Sequence, residues 1–148
     1  MDAKQITDTL FQNINQIGPI SGMNNHEGSL ITEDTEKMET IIKYVSSQSL
    51  YFLDSRTNLN TKVAYVCQGL GFSWYERNVF LHNTKNRQDI LNEINKGINI
   101  ANKTGSAIMI GHVWSADVLP AILKEIYPEL KSKGYRFSTV SESNALKR

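Results

Sequence analysis

Three histidines are the first residues of this chain whose placement could do chemistry, because each falls just past an apolar run. His26 lies in Gly22-Met23-Asn24-Asn25-His26-Glu27-Gly28-Ser29, His82 follows Val79-Phe80-Leu81, and His112 follows Ala107-Ile108-Met109-Ile110-Gly111. A fourth polar set, Asp54-Ser55-Arg56-Thr57, follows the apolar run Leu50-Tyr51-Phe52-Leu53. An imidazole suits proton transfer near neutral pH. Imidazole and carboxylate together suit a divalent metal such as zinc. Amides, hydroxyls and a guanidinium can orient a polar substrate.

Each group also has a plainer reading. A lone histidine at a strand end often caps or hydrogen-bonds, and Asp-Ser-Arg-Thr could be a loop in which Asp54 pairs with Arg56 and Ser55 caps a helix. The joint placement favours a site, since separate loops then contribute His, Asp, Arg and amides to one rim. No short motif narrows the chemistry. The chain holds no His-Glu-x-x-His, no cysteine pair, no P-loop and no Gly-x-Ser-x-Gly elbow. Gly69-Leu70-Gly71 precedes a strand instead of following one and reads as a turn.

The elements that must position these residues alternate. Ile6, Leu10, Phe11, Ile14 and Ile17 share a helical face, which Gly18-Pro19 ends. A short strand over Pro19 to Met23 follows. The next helix opens at Thr32, with Glu33, Asp34 and Glu36 in its first turn, where the helix dipole favours negative charge. Its apolar face is Met38, Ile41, Ile42 and Val45. Leu50–Leu53 reads as a strand buried on both faces. A helix over 60–69 ends at Gly69, and strands are expected at Phe72–Tyr75 and Val79–Leu81. Ile90, Leu91, Ile94, Ile98 and Ala101 mark a helix closed at Gly105. Ala107–Ile110 is a buried strand. The last long helix runs from Val118 to Leu130, with Pro120 in its first turn and Gly134 at its end. Tyr135–Val140 reads as a final strand. This order predicts an α/β fold of parallel βα repeats, read as one domain over residues 1–148. Parallel folds carry their ligands at the carboxyl ends of the strands, where the polar residues fall.

Bulk properties agree with a globular chain. Its 148 residues can bury a core, its 40% hydrophobic and 21% charged content is ordinary, and the formal charge is +1. No basic run supports nucleic-acid binding. The single Cys67 excludes an internal disulfide and, spaced with Val63 and Ala64, reads as a core thiol. No apolar run reaches the ~18 residues of a membrane span. The amino terminus opens a polar helix almost at once, so no signal peptide is expected.

Four stretches carry a resemblance. Asn24-Asn25-His26-Glu27-Gly28-Ser29, Phe52-Leu53-Asp54-Ser55-Arg56-Thr57, Arg77-Asn78-Val79-Phe80-Leu81 and Ala107-Ile108-Met109-Ile110-Gly111-His112 come in the order and approximate spacing of the divergent polysaccharide deacetylase family, which this chain resembles. The resemblance implies a distorted, partial (β/α) barrel of the polysaccharide deacetylase type. It implies metal-dependent hydrolysis of acetyl groups on carbohydrate, in which a metal-bound water attacks the acetyl carbonyl. By resemblance His112 is the candidate general acid, and Asp54 and Arg56 are catalytic-rim residues that orient it or the substrate. Asn24, Asn25, Ser29, Ser55 and Thr57 fall where substrate is bound, His26 where a metal ligand or substrate contact belongs, and His82 as either a replacement metal ligand or a loop residue of a sub-branch. The implied cofactor is a divalent metal, zinc by donor type. The implied partner is an acetylated polysaccharide or oligosaccharide, and the implied location is secreted or the cell envelope.

The chain departs from the family pattern in two ways. His82 and Val113 stand where the family commonly has Asp and Pro. The family's opening strand with its Asp-Asp pair and its His-x-Pro-Met strand have no counterpart. With about five strand candidates against the roughly seven to eight of a closed barrel, the chain reads as the carboxyl-terminal two-thirds of such a domain. Alone, it is expected to be catalytically incomplete, and an open sheet edge is expected to favour homodimerisation. The alternative reading is a non-catalytic glycan-binding or structural domain on the same fold.

Overall fold

The computed structural model describes residues 1–81, 85–143 and 145–147. The chain forms two compact units, Met1–Glu76 with Leu146–Arg148, and Arg77–Ala145. Both are α/β with parallel strands, the class expected from the sequence.

The first unit begins with α1 (Ala3–Ile17), held at its start by a reciprocal cap between Asp2 and Gln5. Then come β1 (Gly22–Asn24), α2 (Ser29–Glu33), α3 (Thr35–Ser47), β2 (Tyr51–Asp54), α4 (Val63–Leu70) and β3 (Tyr75–Glu76). The strands lie in the order β1-β2-β3, all parallel, with Met23 opposite Phe52 and Asp54 opposite Glu76. The outer side of β3 is closed by an antiparallel bridge between Trp74 and Lys147. Ile6, Met38, Ile42, Val45, Phe52, Val63, Cys67 and Trp74 meet in the core between the helices and the sheet. Burial pushes the Cys67 thiol up to about 12, with the Asp54 and Glu76 charges adding to the effect. It is therefore the inert core thiol that its spacing predicted.

The second unit contains β4 (Val79–Phe80), α5 (Arg87–Thr104), β5 (Met109–Ile110) and α6 (Leu119–Ser132). The strands β4 and β5 pair in parallel, Val79 opposite Met109. Asn78 pins this pair: its amide N–H donates to the Ile108 carbonyl and its side-chain oxygen accepts the Ile108 N–H. Val79, Leu81, Ile90, Ile94, Leu119 and Ile122 form the core.

The strands expected at Pro19–Met23 and Phe72–Tyr75 are found shifted, at Gly22–Asn24 and Tyr75–Glu76, and three further elements differ from the sequence expectation. The helix expected to open at Thr32 is two helices, broken at Asp34, whose carboxylate caps α3 by accepting the Lys37 N–H. The helix expected to end at Gly69 runs to Leu70 and is closed by left-handed Gly71 at φ 64°. Tyr135–Val140 is no strand. Its aromatics are spent on helix surfaces instead: the Tyr135 hydroxyl donates to Asn102 of α5, and the Phe137 ring packs on Tyr127 of α6.

Candidate functional site

In the first unit the strands β1, β2 and β3 end at Asn24, Asp54 and Glu76, and a polar network joins those ends. Asn24 donates from its amide to the Ser55 hydroxyl at 2.9 Å. Asn25 accepts the Ser55 backbone N–H on its side-chain oxygen at 2.7 Å. Two consecutive amides, the last residue of β1 and the one after it, thus hold one residue past the end of β2. Asn25 Nδ2 is buried and has no partner among the described residues.

Asp54 is fully buried, and both its oxygens are used. One accepts the Arg56 backbone N–H at 2.8 Å and the other the Thr61 hydroxyl at 2.9 Å. A buried carboxylate needs such donors, since unpaired burial of a charge is costly. The first of these bonds holds Arg56 at φ 47°, in the left-handed region that a side chain with a Cβ rarely adopts. The Arg56 guanidinium then reaches Glu76, 3.2 Å away, whose other oxygen accepts the Trp74 indole N–H at 3.0 Å. The loop past β2 is docked on α2, with the Lys62 N–H donating to the Thr32 carbonyl and Asn58 donating to Glu33.

The structure thus brings together Asn24, Asn25, Asp54, Ser55 and Arg56, and adds Thr61, Trp74 and Glu76, which the sequence reading did not single out. Glu76 carried a usable signal, because it stands at the end of an apolar run as Asp54 does. Thr61 carried none, lying well past its strand in a polar loop. Ser29 opens α2 and contributes its carbonyl to the buried Thr32 hydroxyl. Thr57 is exposed and outside the network, and His26 is exposed on the loop between β1 and α2. His82 lies outside the described residues.

In the second unit His112 follows β5 and caps a single 3₁₀ turn, Val113–Ser115. The buried Ser115 donates both its N–H and its hydroxyl to the His112 carbonyl. The Trp114 ring lies along the imidazole.

Among the described residues no three His, Cys, Asp or Glu side chains gather as a metal centre would require. The Asp54 carboxylate is already committed to protein donors. The described residues therefore do not by themselves fit a resident metal. Among them, no helix is long and apolar enough to cross a membrane.

Parallel βα units with polar groups at the carboxyl ends of their strands place the chain among the α/β proteins that carry ligand sites there. A model of the divergent polysaccharide deacetylase family matches residues 1–143, and the chain belongs to that family. It is similar to the uncharacterized protein YibQ of Escherichia coli (strain K12), 35% identical over 118 residues that make up 80% of this chain and 37% of the relative. An uncharacterized protein of Haemophilus influenzae (strain ATCC 51907 / DSM 11121 / KW20 / Rd) is 33% identical over 112 residues, 76% of this chain and 40% of its own. The crystal structure of the uncharacterized protein ATU2773 from Agrobacterium tumefaciens C58 has the same fold, with a TM-score of 0.83 at 19% identity over 96% of this chain and 57% of that one. The chain thus spans about two fifths of the curated relatives it matches.

Proposed function

We propose that the chain is part of a carbohydrate deacetylase that hydrolyses acetyl groups on a polysaccharide or oligosaccharide. Family membership over residues 1–143 supports the reaction class. The observation that carries the reading to this chain is the network at the ends of β1, β2 and β3, fixed before any ligand arrives. Pre-set amides, hydroxyl and guanidinium are what orientation of a hydroxyl-rich substrate requires. In this reading Asn24, Asn25 and Ser55, with Ser29 and Thr57 on the flanking loops, face the sugar. Asp54 holds Arg56, and His112 donates a proton to the leaving nitrogen or oxygen. A divalent metal, zinc by donor type, belongs to the reading through His26 and through His82. Its remaining donors would come from segments that the chain does not span. The location that goes with this activity is secreted or the cell envelope, and a homodimer through the edge of β1 is part of the proposal.

A second reading, a glycan-binding domain without catalysis, is favoured by one specific observation: the described residues gather no metal donors and commit Asp54 internally. One experiment separates the two. Acetate release from acetylated chitin-type and peptidoglycan-type oligomers is measured on a zinc-loaded protein of the relatives' full length and on its His112→Ala variant. Release that His112→Ala abolishes supports the first reading. Saccharide binding by calorimetry, with neither acetate release nor metal dependence, sinks it in favour of the second.

A further inference from the structure

The chain has two tryptophans, and they stand in opposite environments. Trp74 is 3% exposed and belongs to a core, whereas Trp114 is 66% exposed. Exposed as it is, the Trp114 ring is held. It lies within 23° of parallel to the His112 imidazole, with centroids 5.2 Å apart, and its Nε1 is 3.1 Å from that ring. The turn that carries it is anchored by the buried Ser115, whose N–H and hydroxyl both donate to the His112 carbonyl, at 3.0 and 2.9 Å. The imidazole covers one side of the indole and leaves the other to solvent. Val113, the residue before it, is 75% exposed, so apolar surface adjoins the plate. A side chain ordered before a ligand arrives spares the ligand the cost of ordering it.

The place of this plate limits what it can hold. It stands on the turn that follows β5, at the strand end where parallel α/β folds bind their ligands. One indole and one valine offer far less than the about 1,000 Å² that a specific protein interface buries. A pyranose ring, by contrast, is about the size of an indole. Its ring C–H groups, polarised by the neighbouring oxygens, carry partial positive charge, and the face of an aromatic ring is negative. Equatorially substituted pyranoses, as in chitin-type and peptidoglycan-type chains, turn axial C–H groups to their faces and hydroxyls to their rims.

We infer that Trp114 is a sugar-stacking platform, its open face taking the C–H face of an equatorially substituted pyranose beside His112. The class of ligand rests on the carbohydrate reading proposed above. Within that reading the platform sets which sugar ring lies next to His112, so Trp114 is a specificity-determining residue for the acetylated substrate.

The test is NMR titration of the chain, and of Trp114→Tyr and Trp114→Ala, with an N-acetylated chitin-type tetrasaccharide. Two tryptophans give two indole N–H signals, and the one that Trp114→Ala deletes belongs to Trp114. The other, from Trp74, reports that each variant is folded. The Trp114 ring signals are expected to shift saturably, with nuclear Overhauser contacts from the ring to sugar C–H protons. Affinity is expected to fall about tenfold in Trp114→Ala and to stay within about threefold in Trp114→Tyr, which keeps a flat aromatic face without the indole N–H. Saturable binding that makes no contact with the Trp114 ring, equal affinity in Trp114→Ala, or no binding at all overturns the inference. The Overhauser contact is read in the unmodified chain, so it decides even where a variant unfolds. Acetate release by the zinc-loaded protein of the relatives' full length is a separate readout. Sugar on Trp114 with no release counts against the deacetylase reading and leaves the inference standing. Release with no sugar on Trp114 does the reverse.

Discussion

At the scale of single residues, the buried Asp54 organises the rim. Its two oxygens accept from Arg56 and Thr61, so removing the carboxylate strands two donors at once. Asp54→Ala should therefore destabilise the protein by about 2–4 kcal/mol, the range for losing charge-assisted bonds and leaving their partners unpaired. Asp54→Asn keeps one acceptor, and the Thr61 hydroxyl can turn to accept from the new amide. Its cost should be roughly half as large. Urea unfolding of the two variants measures this difference, and equal midpoints for wild type and Asp54→Ala would refute it. The sequence made Asp54, Arg56, Asn24, Asn25 and Ser55 legible because each sits just past an apolar run. It hid the bonds themselves. That Asn25 reaches the Ser55 backbone, or that Glu76 spans Arg56 and Trp74, depends on strand register. Register is a property of pairing across distant segments that no local pattern records.

At the scale of elements, the alternation of strands and helices was legible because apolar periodicity is a strong local signal. The boundaries were less so. The apolar run Phe72–Tyr75 and the strand that pairs, Tyr75–Glu76, share only Tyr75, since burial and ladder bonding are separate requirements. Tyr135–Val140 has the aromatic and β-branched content of a strand, but its side chains found partners on α5 and α6 instead. The pairing of β1 with β2 depends on a detail of shape. A Cβ on Gly22 would stand 2.3 Å from the Tyr51 ring, and that ring is itself held edge-on to Tyr75 at 5.4 Å. Gly22→Ala should therefore cost about 1–3 kcal/mol, as overpacking does. It should also loosen the Asn24 and Asn25 bonds to Ser55, read as faster exchange of the Ser55 amide. Gly97→Ala provides the contrast. Its Cβ would meet the Met109 sulfur at 2.3 Å, but an unbranched thioether can swing aside. A loss for Gly97→Ala as large as that for Gly22→Ala would contradict the argument.

At the scale of the whole molecule, the two edges of the three-stranded sheet are unequal. The outer side of β3 is closed by the Trp74–Lys147 bridge, whereas β1 pairs only with β2 among the described residues of its unit. An edge strand presents backbone donors and acceptors that another strand can use. A second copy of the chain offers the same edge, and a two-fold axis through it would pair β1 with β1 antiparallel. The chain is therefore expected to dimerise as its concentration rises, measured by light scattering after size-exclusion chromatography. Hydrogen exchange locates the contact: amides of Gly22–Asn24 should become protected in step with the dimer, while those of α6 should not change. A stable monomer at high concentration, or a dimer that leaves Gly22–Asn24 unprotected, would remove the edge from the argument. The relatives are longer than this chain. Any strand they place beside β1 would compete for the same backbone groups, so a full-length relative with that position filled should not dimerise through it. The same pair of measurements on both lengths then tells whether β1 joins two copies or only awaits its own neighbour.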